Sequence, residues 1–133
     1  MTVNNQKEEQ DFIQLSLPLN AAYVSAARLT ASSVANRMGF STDEIEDIKA
    51  AVSEASTYII KKAPAELSGN FSIQFHMSGA TMSIQIETKG LLCQEPGEMS
   101  LIMIKALMDQ FDIKAENDKT IFFMTKSHND SLF

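Results

Sequence analysis

Residues 41–62 read STDEIEDIKAAVSEASTYIIKK, and they predict the helix around which the chain is organised. Ser41 and Glu44 have capping-box spacing, in which each side chain accepts a hydrogen bond from the other residue's backbone N–H. Carboxylates fill the first turns and Lys61 and Lys62 end the run, which suits the helix dipole. Apolar residues recur every three or four positions, so one side of this helix, about 33 Å long, faces a core.

The segments on either side of this helix show two further kinds of pattern. Alternation of apolar and polar residues predicts strands at 13–17, 71–77 and 82–87, and a polar turn at 116–119 separates two further predicted strands at 111–115 and 120–126. Further helices are expected at 21–37 and at 99–110, the second apolar on most sides and therefore well buried. The order β-α-α-β-β-α-β-β, with three helices on one face of a mainly antiparallel sheet, predicts an α+β two-layer sandwich.

Composition excludes several classes of protein. The 133 residues predict a single domain at 12–126 between polar tails at 1–11 and 127–133. The net charge of −6 argues against nucleic-acid binding, and no apolar run is long enough to span a membrane. A single cysteine, Cys93, and a polar start without a signal-peptide pattern predict a cytoplasmic protein. No metal site is expected, and His76, on the polar side of its strand, is expected to face solvent.

The predicted helix at 21–37 is rich in alanine and serine, which permit close approach of another backbone. One interpretation is tight packing within the chain. The other is a flat surface offered to a partner protein, which would be contacted through Tyr23, Ala27, Arg28 and Ala31, with Arg28 as the leading charge.

The stretch LPLNAAYVSAARLTASSVANRMGFSTDEIEDIKAAVSEAST, at 17–57, resembles the N-terminal half of RsbW- and SpoIIAB-type anti-sigma factors. These are small GHKL (histidine-kinase-like, Bergerat-fold) ATPase domains. ALMDQFDI and IFFMTK resemble the last helix and last strand of the same family. The resemblance implies a protein that binds ATP and Mg²⁺ between sheet and helices and holds a sigma factor inactive. It also implies phosphorylation of a serine on an anti-anti-sigma antagonist, and a homodimer.

The first nucleotide-binding box of that family reads E-A-x-T-N-A-x-x-H-A and corresponds here to EASTYIIKKA at 54–63. Glu54 matches the family's general base. Tyr58 matches the asparagine that coordinates Mg²⁺. Because Mg²⁺ prefers compact oxygen ligands in octahedral geometry, a neutral phenol is a poor substitute. The ring is also expected to fill space meant for the metal and phosphates.

The second and third boxes also depart from the family pattern. Thr88 matches the aspartate that accepts from the adenine amino group, and Gly90 matches the glycine that follows it. The glycine-rich phosphate loop keeps only Gly97, and Glu98 introduces a negative charge there. Gly90 and Gly97 are only seven positions apart, so the ATP lid of the family is missing.

These departures predict a chain that keeps the fold without binding ATP or Mg²⁺. It would act as an anti-sigma-like regulator by contact with a sigma factor, an antagonist or a family paralogue. Glu54 would then pair with Lys61 or a nearby polar group. Two alternatives remain open: an active serine/threonine kinase that uses Glu54 with ATP and Mg²⁺, and a sensor of another small ligand in the vacated pocket.

Overall fold

The computed structural model of the chain describes residues 11–63, 69–90, 92, 95 and 97–128. The strands are β1 (Asp11–Pro18), β2 (Asn70–Ser78), β3 (Thr81–Lys89), β4 (Gln110–Glu116) and β5 (Lys119–Ser127). The helices are α1 (Val24–Met38), preceded by a 3₁₀ turn at Ala21–Tyr23, α2 (Thr42–Lys62) and α3 (Met99–Leu107). The predicted tails and Cys93 lie outside the described residues, apart from Asp11, Ser127 and His128.

The five strands form one antiparallel sheet in the order β1-β2-β3-β5-β4. Alternate residues of the central strands are fully buried under the helices, because successive strand side chains point to opposite faces of a sheet. They include Phe71, Ile73, Phe75, Met82, Ile84, Ile86, Phe122 and Met124. The predicted α+β two-layer sandwich is confirmed.

The helix α2 forms as its sequence predicts. The Ser41 backbone N–H donates to Glu44 Oε1 at 2.8 Å, and the Glu44 N–H donates to Ser41 Oγ at 3.2 Å. The two bonds satisfy donors that every helix start leaves unpaired. The apolar stripe, which includes Ile48, Val52 and Ile59, is fully buried and supplies the centre of the core.

The small residues of α1 serve packing within the chain. Ala27 and Ala31 have no exposed surface and belong to the core cluster, where α1 packs on α2. Arg28 Nη1 donates to Ser53 Oγ of α2 at 3.2 Å. The prediction that a partner contacts Ala27 and Ala31 is therefore wrong, because both side chains are covered by the chain itself. Tyr23 remains 45% exposed.

The helix α3 is shorter and more exposed than predicted. It ends at Leu107, because the following backbone bonds to β5: the Asp109 N–H donates to Thr125 O at 2.9 Å, and the Asp109 carboxylate accepts from the Ser127 N–H at 2.8 Å. Of residues 99–107, only Ile104 is buried. The prediction of a well-buried helix is wrong, since α3 lies at the rim of the helical layer and turns one stripe toward the core.

The sheet face away from the helices is less exposed at His76 than predicted. Its imidazole is half-buried and packs on Phe12 of the neighbouring strand, with 4.7 Å between ring centroids.

Within the described part of the chain, no helix has the length and apolar content needed to cross a membrane.

Candidate functional site

The candidate site is a cavity of about 320 Å³ between the C-terminal half of α2 and the start of α3. Residues three and four apart share one side of a helix, so α2 turns a stripe from Glu54 to Lys62 toward this cavity. The lining residues are Glu54, Thr57, Tyr58, Lys61, Lys62, Glu98, Met99 and Ser100. The predicted shared stripe of Glu54 and Tyr58 is confirmed.

Tyr58 occupies the inner wall of this cavity. It is 5% exposed, and its ring lies 5.7 Å from the Phe122 ring of β5, measured between centroids. Lys62 Nζ lies 5.4 Å from the centroid of the same ring, within cation–π distance. The phenol therefore spans the space between α2 and the sheet, and its hydroxyl reaches the start of α3.

Glu98 joins α3 to α2 through its carboxylate. Tyr58 Oη donates to Glu98 Oε1 at 2.6 Å, and Lys62 Nζ lies 2.7 Å from Oε2. The Glu95 backbone N–H adds a weaker bond at 3.3 Å. The bond from Lys62, followed by that from Tyr58, holds the pKa of Glu98 below its ordinary value and outweighs the effect of partial burial. We call Tyr58, Lys62 and Glu98 the cleft cluster.

The cleft cluster contains a charge that the sequence predicted, at Glu98, and contacts of that charge that the sequence did not predict. A negative charge at Glu98 was expected in the position of the phosphate loop, but its partners were not predicted. Glu98 lies 40 residues from Tyr58 along the chain, so no local pattern could have revealed the contact. The only signal was opposite charge at Lys62 and Glu98, which many other pairs share.

Glu54 lines the cavity but takes no part in the cleft cluster. Among the described residues, its half-buried carboxylate makes no side-chain hydrogen bond and no ion pair. The predicted pairing with Lys61 is therefore wrong. Within the described part of the chain, this unengaged carboxylate in the cavity is the feature of the site closest to an enzyme's.

Of the second and third boxes, Glu98 lines the cavity, whereas Thr88, Gly90 and Gly97 lie outside its lining. Thr88 is 2% exposed, and its hydroxyl has no hydrogen-bond partner among the described residues. Gly90 follows with φ +92°, a left-handed conformation that favours glycine. Gly97 is exposed, also with positive φ, and places Glu98 at the cavity.

Thr120, which sequence reasoning missed, fixes the segment that follows β3. Its buried hydroxyl donates to Gly90 O at 2.8 Å and accepts from the Leu92 N–H at 3.0 Å. The Gly90 N–H donates to Asp118 O at 2.7 Å. These three bonds hold the residues after β3 against β5 and its turn.

Comparison with known proteins shows the family of this chain. The sequence pattern of the histidine kinase-like ATPase domain matches residues 17–126. The chain belongs to this family. Serine-protein kinase RsbW of Oceanobacillus iheyensis is 35% identical over 89% of the chain and 87% of the relative. Serine-protein kinase RsbW of Bacillus licheniformis is 32% identical over 92% and 89%. The resemblance to RsbW-type proteins is confirmed.

A solved structure supports the same fold. The RsbU and RsbW domains of Rv1364c from Mycobacterium tuberculosis match with a TM-score of 0.74 at 16% identity. The match covers 89% of this chain and 32% of the longer protein. At this identity, the likeness shows a shared RsbW-like fold.

Proposed function

We propose that this RsbW-like chain is a regulator that binds a sigma factor or an anti-anti-sigma antagonist, and that it neither hydrolyses ATP nor transfers phosphate. Family membership supports the regulatory role. The cleft cluster is the single observation that carries the second half of the proposal, because it engages the positions that should hold metal and phosphate.

The residues of the cavity do not suit Mg-ATP. The Tyr58 hydroxyl, at the position of the metal-binding amide, already donates to Glu98 at 2.6 Å. The Glu98 carboxylate, with its lowered pKa, is charged at neutral pH and would repel a phosphate. Lys62, the nearest cation to that carboxylate, is 2.7 Å from it and is neutralised by it. We therefore expect no phosphoryl transfer by this chain.

The surface that we propose for the partner begins at Tyr23 and continues along the outer side of α1. Leu29 on that side is 64% exposed, and Arg28 is half-buried beside it. A net charge of −6 favours a basic partner. A homodimer through the same helix is the second state that we propose to test.

Size-exclusion chromatography tests the binding half of the proposal. The purified chain, mixed at tens of micromolar with candidate sigma factors and antagonists, should co-elute with one of them. Leu29→Ser should weaken that complex. Phe123→Ser, which alters a 37% exposed residue on β5, serves as the matched control. Failure to co-elute with any candidate counts against the proposal.

A second candidate function is that of a serine-protein kinase, the activity in the names of the relatives. The unengaged Glu54 carboxylate in the cavity favours it. Calorimetry with Mg-ATP and a labelled-phosphate transfer assay on a candidate antagonist separate the two functions. Our proposal expects neither binding nor transfer. Micromolar binding together with transfer that Glu54→Gln abolishes would establish the kinase instead.

A further inference from the structure

We propose that the groove between α3 and β4 is a docking site for an extended, basic segment of a partner protein, which adds to the sheet as a strand beside β4. This surface is separate from the one on α1. The inference rests on the groove, the free edge of the sheet and the charges that surround them.

The groove has a volume of about 460 Å³ and is lined by both apolar and charged residues. Leu101 and Ile102 of α3 form one wall, and Phe111 and Ile113 of β4 form the other. The aromatic and branched side chains leave room for apolar side chains from outside. A groove between a helix and an edge strand is the geometry in which other proteins bind extended peptides.

The outer edge of β4 offers backbone groups for pairing. β4 is the last strand of the sheet. The Ile113 N–H donates to the Asp112 carboxylate of its own strand at 3.0 Å, so we take this N–H to point away from β5. Alternation along an antiparallel strand then turns the N–H groups of Phe111 and Ala115 the same way. A partner strand could accept from Phe111 and Ala115 directly, and from Ile113 by displacing the Asp112 carboxylate.

An exposed apolar stripe on α3 continues the groove. Met99 is 67% exposed, Ile102 51% and Met103 38%. Their spacing of three and four places them on one side of the helix. A strand beside β4 would place every second side chain toward α3, where Ile102 borders the groove. Apolar residues at alternate positions of the partner are therefore expected.

The charges around the groove indicate which side chains are expected at the other positions of the partner strand. Among the described residues, four charged ones line the groove, namely Glu95, Glu98, Lys105 and Asp112. Lys62 neutralises Glu98 from the other side, which leaves two carboxylates against one ammonium group. The chain as a whole carries −6. On the outer face of β4, Asp112 and Glu116 flank Lys114, again two carboxylates against one ammonium group, so lysine or arginine at the outward positions of the partner strand would complement this surface.

The opposite edge of the sheet lacks this preference. A groove of about 490 Å³ borders β1, but the two charged residues that line it within the described part of the chain, Asp11 and Arg37, cancel each other. A basic strand is therefore expected to bind beside β4 rather than beside β1. The β1 edge serves as an internal control in the same molecule.

The test uses a fluorescein-labelled peptide of about nine residues, a usual strand length, that alternates valine with lysine. Fluorescence anisotropy should show binding, and Ile102→Ser should weaken it about five- to tenfold, as expected when half of an isoleucine surface is buried. Phe12→Ser, at a 50% exposed apolar position on the opposite edge strand β1, should leave the affinity unchanged. Hydrogen exchange of the bound chain should slow at Phe111, Ile113 and Ala115.

Several results would overturn the docking site. Equal binding of a peptide with the same residues in two blocks would show that charge alone acts. Slowed exchange at β1 instead of β4 would place the segment at the wrong edge. A dimer in sedimentation experiments that Ile102→Ser dissociates would identify the occupant as a second copy of this chain. Absence of binding up to millimolar peptide would reject the groove altogether.

Discussion

Replacement of Tyr58 by alanine should destabilise the chain far more than the same change at its other tyrosine. Tyr58 is 5% exposed, whereas Tyr23 is 45% exposed. An aromatic side chain buries about 150–250 Å², and at about 25 cal/mol per Å² this corresponds to about 4–6 kcal/mol. Truncations of large buried aromatic residues cost about 3–5 kcal/mol. We therefore expect about 3–5 kcal/mol for Tyr58→Ala.

Urea denaturation followed by far-UV circular dichroism measures this loss, and it suits a chain without tryptophan. With an m-value of about 1.5 kcal/mol/M, a loss of 3 kcal/mol lowers the midpoint by about 2 M. Tyr23→Ala is the matched control, and we expect it to cost less than about 1 kcal/mol. Equal midpoints for the two variants would refute the conclusion that the Tyr58 ring fills the space between α2 and the sheet.

Three further predictions concern charge, capping and packing. Because the pKa of Glu98 is lowered by folding, the stability that wild type has over Glu98→Gln should be complete at pH 7 and decline as the pH falls below about 4.3; equal differences at pH 7 and pH 3 in urea titrations would contradict this. Ser41→Ala should cost about 1 kcal/mol, a fall of about 3–5 °C in Tm by circular dichroism; an unchanged Tm would mean that the capping box is dispensable. Ala31→Leu should cost about 1–3 kcal/mol by overpacking, whereas Ser25→Leu on the exposed side of α1 should be nearly neutral in the same assay.

Local signals explain what the sequence predicted correctly. The capping box at Ser41 and the alternation along β2 and β3 are set by residues within a few positions of one another, so the elements could be placed before their neighbours were known. The order of elements then limited the fold to helices on one face of an antiparallel sheet. The family resemblance supported the same arrangement.

The errors arose where a residue has two physical uses. Alanine at 27 and 31 suits both close helix packing and a flat partner surface, and only the position of α2 decides between them. Apolar content made α3 look buried, but hydrophobicity does not say how much of a helix its neighbours cover. Nothing in residues 108–110 is a strong helix breaker. Bonds to β5, distant in sequence, end the helix there.

The contacts of the candidate site also join residues distant in sequence, which the sequence alone could not show. Glu54, Tyr58 and Glu98 were each identified from the sequence, yet only the folded chain brings the phenol and the carboxylate to 2.6 Å. The absence of a partner for Glu54 among the described residues was not predicted, because the sequence offered Lys61 seven positions away. In the structure Lys61 is exposed and borders the same cavity, but it makes no ion pair with Glu54.

The carboxylate of Glu98 contacts two side chains of α2 at once, Tyr58 and Lys62, so the effects of mutations at these three positions depend on one another. Replacement of Tyr58 by asparagine would remove one bond to Glu98 but leave the Glu98–Lys62 ion pair in place. Loss of Glu98 alone would leave a phenol in the same space. Neither single substitution vacates the space that the two side chains fill, so opening it would require mutations at two positions 40 residues apart.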